Sequence, residues 1–96
     1  MELEEKVPGG KLVRLSVKGN GRPKIMLSGD FFIYPEEGIT AIEGTLSGLN
    51  GMEALDEVEY ALYKAVKYND IELIGLDIYV IARLYKGIVD VESHWP

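Results

Sequence analysis

The alternation of apolar and polar positions is clearest between Lys11 and Lys18, where Val13, Leu15 and Val17 face one way and Arg14, Ser16 and Lys18 the other. Period-two spacing of this kind marks a half-buried strand. Leu12 breaks the pattern at its start. Upstream, Val7-Pro8-Gly9-Gly10 is a turn signal, since proline fixes the first corner and glycine accepts the next. Glu2 to Lys6 reads as either an added strand or a tail. Downstream, Gly19-Asn20-Gly21-Arg22-Pro23 is a reverse-turn cluster. A second strand is predicted over Lys24 to Ile33, with Ile25 and Leu27 on one face and Met26 and Ser28 on the other. Gly29 within it signals a bulge or a close backbone approach. Two strands alone are marginal, so helices must pack on the apolar face of this hairpin.

The spacing then changes to that of helices. Pro35-Glu36-Glu37 predicts a helix start, and Ile39, Ile42, Leu46 and Leu49 form one stripe. Gly38 and Gly44 weaken this helix, and Gly48 is its predicted stop. Asn50 and Glu53 read as the capping box of a second helix, striped by Leu55, Val58, Leu62 and Ala65 or Val66. Ile71 to Ile74 reads as a short strand or a connector. A third helix is predicted from about Asp77, its cap, to Gly87, through Ile78, Ile81, Leu84 or Tyr85, and Ile88. The β-branched and aromatic run Ile78-Tyr79-Val80-Ile81 suits a strand equally well. Residues 91–96 read as a tail, with Trp95 folding back and His94 incidental. The expected fold is α+β: an antiparallel hairpin or small sheet of two or three strands against about three helices, as one domain of 96 residues.

Composition narrows the chemistry. Apolar residues are 47% of the chain, so it is globular, with a thin core for its length. The absence of cysteine removes disulfides, thiolate metal sites and thiol catalysis, and the lone histidine makes a histidine site improbable. No apolar run reaches the length of a membrane span, and the first residues lack the pattern of a signal peptide, so a cytoplasmic protein is expected.

A net charge of −6 argues against nucleic acid. It conceals a segregation: Lys6, Lys11, Arg14, Lys18, Arg22 and Lys24 fall within residues 6–24 without an acid, whereas residues 25–96 hold thirteen acids and four bases. Read plainly, these bases are solvated and blunt a sheet edge. Read more sharply, they face an acidic partner or a nucleotide.

Gly9-Gly10-Lys11 fails as a phosphate loop, because Leu12 stands where the motif needs serine or threonine and a strand follows instead of a helix. Gly19-Asn20-Gly21 fails as a dinucleotide motif for like reasons. The carboxylates Asp56, Glu57 and Glu59 read as a solvated helix face. Asp30 reads as a carboxylate capping nearby backbone N–H groups, ahead of a catalytic role. Phe31 and Phe32 cannot both point inward, so either one is exposed or the strand kinks there.

Three stretches carry a family resemblance: K-V-P-G-G-K-L-V-R-L at Lys6–Leu15, S-G-D-F-F-I-Y-P-E-E at Ser28–Glu37, and I-G-L-D-I-Y-V-I-A-R at Ile74–Arg83. Together, over about residues 3–90, the chain resembles the accessory domain of lipoate–protein ligases. That domain is the C-terminal part of many bacterial ligases and a separate small subunit in some archaea. A chain running from Met1 to just past the helices is similar to the second arrangement.

The resemblance implies a non-catalytic subunit in a heterodimer with a catalytic one. The complex uses ATP, magnesium and lipoate to form lipoyl adenylate, then lipoylates a lysine of an acceptor domain. None of these ligands is expected on this chain alone, and no catalytic residue is carried over. The positions matching the family pattern are Lys6, Pro8, Gly9, Gly10, Lys11, Gly29, Asp30, Phe31, Phe32 and Pro35. Their implied role is docking or completing the partner's site. Lys6 and Lys11 are candidates for ATP phosphate contacts, against the plain reading that both are solvated. Pro8, Gly9, Gly10, Asp30, Phe31 and Phe32 are candidates for the partner interface. The alternative from another class is a stand-alone small-molecule-binding or regulatory module; a cysteine-dependent sulfur carrier is excluded.

Overall fold

A computed structural model describes residues 2–7, 11–18 and 24–91. The chain runs through β1 (Glu2–Val7), β2 (Lys11–Lys18), β3 (Lys24–Gly29), β4 (Phe32–Tyr34), α1 (Gly38–Ser47), α2 (Leu55–Tyr68), β5 (Glu72–Ile74) and α3 (Ile78–Val91). Strands β1, β2 and β3 form an antiparallel sheet in chain order, and β4 pairs with β5 in a separate antiparallel ribbon. The fold is α+β.

The alternation read at Val13, Leu15 and Val17 is what builds the inner face of the larger sheet. These three, with Ile25 and Leu27 of β3, are buried. Helices α1 and α3 pack on that face, and α2 packs on both helices. From the helical side come Ile42 and Leu46 of α1, Val58 and Leu62 of α2, and Ile81, Leu84, Tyr85 and Ile88 of α3, in one continuous cluster. Each such aliphatic side chain contributes about 1.5–3 kcal/mol when taken from water. The first segment resolves to a strand: β1 adds Leu3 and Val7 to the inner face. Its Glu5 joins Arg83 of α3 at 2.6 Å. That contact raises the Arg83 pKa, chiefly through the Glu5 hydrogen bond.

Four sequence expectations are corrected. The strand expected over Lys24 to Ile33 is two strands in two sheets. Its break is at Gly29 (φ 144°), after which the Asp30 N–H donates to the Leu12 carbonyl at 2.7 Å. The first helix begins at Gly38, not Pro35; residues 35–37 form a turn whose Pro35 carbonyl accepts the Gly38 N–H at 2.9 Å, after a cis Tyr34–Pro35 bond.

Asn50 and Glu53 do not cap α2. Glu53 instead accepts from the Asn50 and Gly51 N–H groups at 2.9 and 3.0 Å, closing a loop. The helix starts four residues later than Asn50 implied, after Ala54, whose N–H donates to Glu57 at 3.0 Å. Alanine has no oxygen to return that bond, so half of a capping box operates. Finally, α3 continues past Gly87, taking in Asp90 and Val91. Its expected cap holds: Asp77 accepts the Val80 N–H at 2.9 Å. Trp95 and His94 lie outside the described residues. Within the described residues no helix is long and apolar enough to cross a membrane.

Candidate functional site

The strand register brings the quoted stretches to one end of the larger sheet. Val7 of β1 lies opposite Lys11 of β2, and Val13 of β2 lies opposite Gly29 of β3. The chain leaves β3 there because Gly29 backs against β2: an added Cβ would strike the Leu12 carbonyl. The close approach expected at Gly29 is therefore what turns Asp30 and Phe31 out of the sheet. The third stretch arrives at the same corner. Gly75 (φ +87°) lies so close that a Cβ there would sit 3.3 Å from the Asp30 carbonyl oxygen and 3.4 Å from the Phe31 Cα.

Pro8, Gly9 and Gly10 lie outside the described residues. Lys6 and Lys11 flank them, both exposed, with Lys6 opposite Leu12 on the outer face. Neither forms an ion pair among the described residues, and the same holds for Lys18 and Lys24. Arg14 differs. Glu4, directly opposite on β1, takes its Nε and Nη2 hydrogens at 3.0 and 2.8 Å and raises its pKa, the hydrogen bond first and the charge second. Lys6, Lys18 and Lys24 thus stand uncompensated on the outer face while Arg14 is held in an internal pair; Lys11, opposite Val7, falls on the other side at the end of the sheet.

Asp30 is exposed, and its carboxylate makes no hydrogen bond among the described residues. The capping role expected for it is not what the structure has; its backbone, not its side chain, makes the bond that shapes the corner. The pair that could not both point inward splits as the pleat requires, and the chain kinks as well. Phe31 is half-buried against the core, whereas Phe32 stands out on β4.

Residues missed by sequence reasoning surround Phe32. Tyr34 stacks on it, with ring centroids 6.5 Å apart and planes 16° from parallel. Ile74 of β5 lies directly opposite Phe32, and Glu72 opposite Tyr34. The signal was available in Phe32-Ile33-Tyr34, where Ile33 goes inward and its neighbours outward, but three residues are too few to establish a period. A depression of about 370 Å³ beside the rings is lined by Phe31, Phe32, Ile33, Tyr34, Glu36 and Ile39. Among the described residues no cluster of histidine, aspartate or glutamate is placed to hold a metal ion.

No protein-family model matches this sequence, and no curated protein matches it. A similar fold occurs in a chain from the structure of an archaeal lipoylation system of Thermoplasma acidophilum, described as a bipartite lipoate protein ligase and its E2 lipoyl domain. The superposition has a TM-score of 0.60 at 21% identity, and it spans 88% of this chain and 97% of that one. The likeness is one of fold.

Proposed function

We propose that this chain is the non-catalytic accessory subunit of a two-chain lipoate–protein ligase. In this reading a separate catalytic subunit binds ATP, magnesium and lipoate, forms lipoyl adenylate, and passes the lipoyl group to a lysine of an acceptor domain. The observation that carries it is the meeting of three stretches at one corner. The Lys6–Leu15, Ser28–Glu37 and Ile74–Arg83 segments lie far apart in sequence, yet Asp30 joins them: its N–H donates to the Leu12 carbonyl, and its own carbonyl lies beside Gly75. These are the segments that resemble the ligase accessory domain. The fold neighbour, from a bipartite ligase structure, supports the same reading.

Within it, the corner completes the partner's site. Lys6 and Lys11 approach the ATP phosphates from the edge of the sheet, where uncompensated ammonium groups stabilise developing negative charge. Pro8, Gly9 and Gly10, with Asp30, Phe31 and Phe32, contribute to the subunit contact. The test is pyrophosphate release by the reconstituted pair. The expected result is adenylation from the two chains together and none from this chain alone, with Lys11→Ala or Lys6→Ala lowering the rate about tenfold or more while the complex still forms.

Wild-type adenylation from both lysine variants removes the phosphate contact. A ligase chain equally active without this one removes the accessory role. Two further measurements separate other readings. Mass spectrometry after incubation with ligase, ATP and lipoate would show a lipoylated lysine if this chain were the acceptor. Calorimetry with ATP and lipoate would show unaided binding if it were a stand-alone regulator.

A further inference from the structure

We propose that the outer face of the β4–β5 ribbon is the surface on which the catalytic ligase chain docks, and that the partner meets it with an apolar side chain ringed by lysine or arginine. The inference rests on the accessory-subunit reading and adds the chemistry of the contact. Pairing register puts Phe32, Tyr34 and Ile74 on one face. They are 61%, 51% and 43% exposed. Two stacked rings with Ile74 cross-strand from one of them present apolar surface to water, which is what interfaces bury. The neighbouring depression between Phe31, Tyr34 and Glu36 has room for one inserted side chain.

The rim identifies the partner's charge. Asp30, Glu36 and Glu72 border the patch, and none of their carboxylates makes a hydrogen bond or ion pair among the described residues. Some carboxylates elsewhere are engaged, Glu4 with Arg14, Glu5 with Arg83 and Glu43 with the Leu27 N–H, whereas the three around this patch lie together beside exposed apolar side chains. An apolar centre inside an unneutralised acidic rim is complementary to a basic-rimmed apolar knob, and it repels a second copy of itself. Lys6 and Lys11, at the end of the larger sheet, are left free for the nucleotide.

The experiment measures binding of this chain to the catalytic chain by surface plasmon resonance at two salt concentrations. Phe32 and Tyr34 are exposed, so Phe32→Ala with Tyr34→Ala leaves the fold intact, which circular dichroism checks. The double variant is expected to bind about tenfold or more weaker. Glu36→Lys with Glu72→Lys is expected to slow association several-fold and to abolish its slowing by salt. Met26→Ala, which trims exposed apolar surface from the other sheet, is expected to change neither rate. Wild-type binding matched by both double variants overturns the docking surface and leaves the accessory role standing. No binding by the wild type overturns the accessory role, and with it this inference.

Discussion

Two glycines of α1 that look alike in the sequence separate at the level of single atoms. Both Gly38 and Gly44 read as residues that weaken a helix. A Cβ on Gly44 would meet nothing within 4 Å, so Gly44→Ala is expected to stabilise the fold by about 0.5–1 kcal/mol through helix propensity and a less flexible unfolded chain. A Cβ on Gly38 would lie 2.9 Å from Ile33 Cγ2 and 3.0 Å from Ile71 Cγ1. Both neighbours are in the core, and the isoleucines cannot both yield, so Gly38→Ala is expected to cost about 1–3 kcal/mol. Urea unfolding of the two variants, with equal slopes, checks the opposite signs. Gly29 is a third case. Its φ of 144° excludes a side chain as firmly as the Leu12 carbonyl does, so Gly29→Ala disturbs the corner itself. The sequence announced each glycine but not its neighbours, because the contacts that decide its role come from distant segments.

Elements were legible in proportion to their length. The eight-residue β2 and the fourteen-residue α2 carry enough repeats for a period to be recognised; in α3 the stripe pointed to a helix although its β-branched start suited a strand equally well. The three-residue β4 and β5 carry too few repeats, and Lys24 to Ile33 looked like one strand because apolar residues continue across the break. The site suffered accordingly. Asp30, Phe31 and Phe32 stood out by composition, while Tyr34, Ile74 and Glu72 became visible when the β4–β5 register was known.

One element-level device was also hidden. The Leu27 N–H points off the outer edge of β3, and Glu43 of α1 accepts it at 2.7 Å. The carboxylate closes one position of a sheet edge that would otherwise offer a pairing site. Glu43→Ala leaves that donor partly buried and without a protein acceptor, at an expected cost of about 1–2 kcal/mol. Glu43→Gln retains an oxygen acceptor and is expected to recover much of the loss. Thermal melts of the two variants, and hydrogen exchange at the Leu27 amide, distinguish a lost edge contact from a general loosening of α1.

At the scale of the whole molecule, the outer face of the larger sheet mixes charges by strand: Glu2, Glu4 and Lys6 on β1, Arg14 and Lys18 on β2, and Lys24 on β3. Lys18 and Lys24 lie directly opposite each other across β2 and β3, and like charges at that spacing repel. Lys24→Glu converts the repulsion to attraction. It also lowers the net charge further, but the other charges act at longer range through solvent and are screened beyond about 10 Å at moderate salt. The local pair therefore wins, and stability is expected to rise by about 0.2–1 kcal/mol, with the gain shrinking as salt is added.

Activity makes a second demand on the same variant. Lys24 pairs near the Lys18 end of β2, and Lys11 starts the other end, about 20 Å away by strand rise. If the corner at Lys11 and Asp30 is what approaches the nucleotide, Lys24→Glu should leave adenylation by the reconstituted pair within about twofold of wild type, well above Lys11→Ala. A loss as deep as that of Lys11→Ala would mean that the entire outer face engages the partner or its ligand. The like-charged Lys18–Lys24 pair would then be a functional expense held against stability, and the boundary of the working surface would have to be moved from the corner to the full outer face of the sheet.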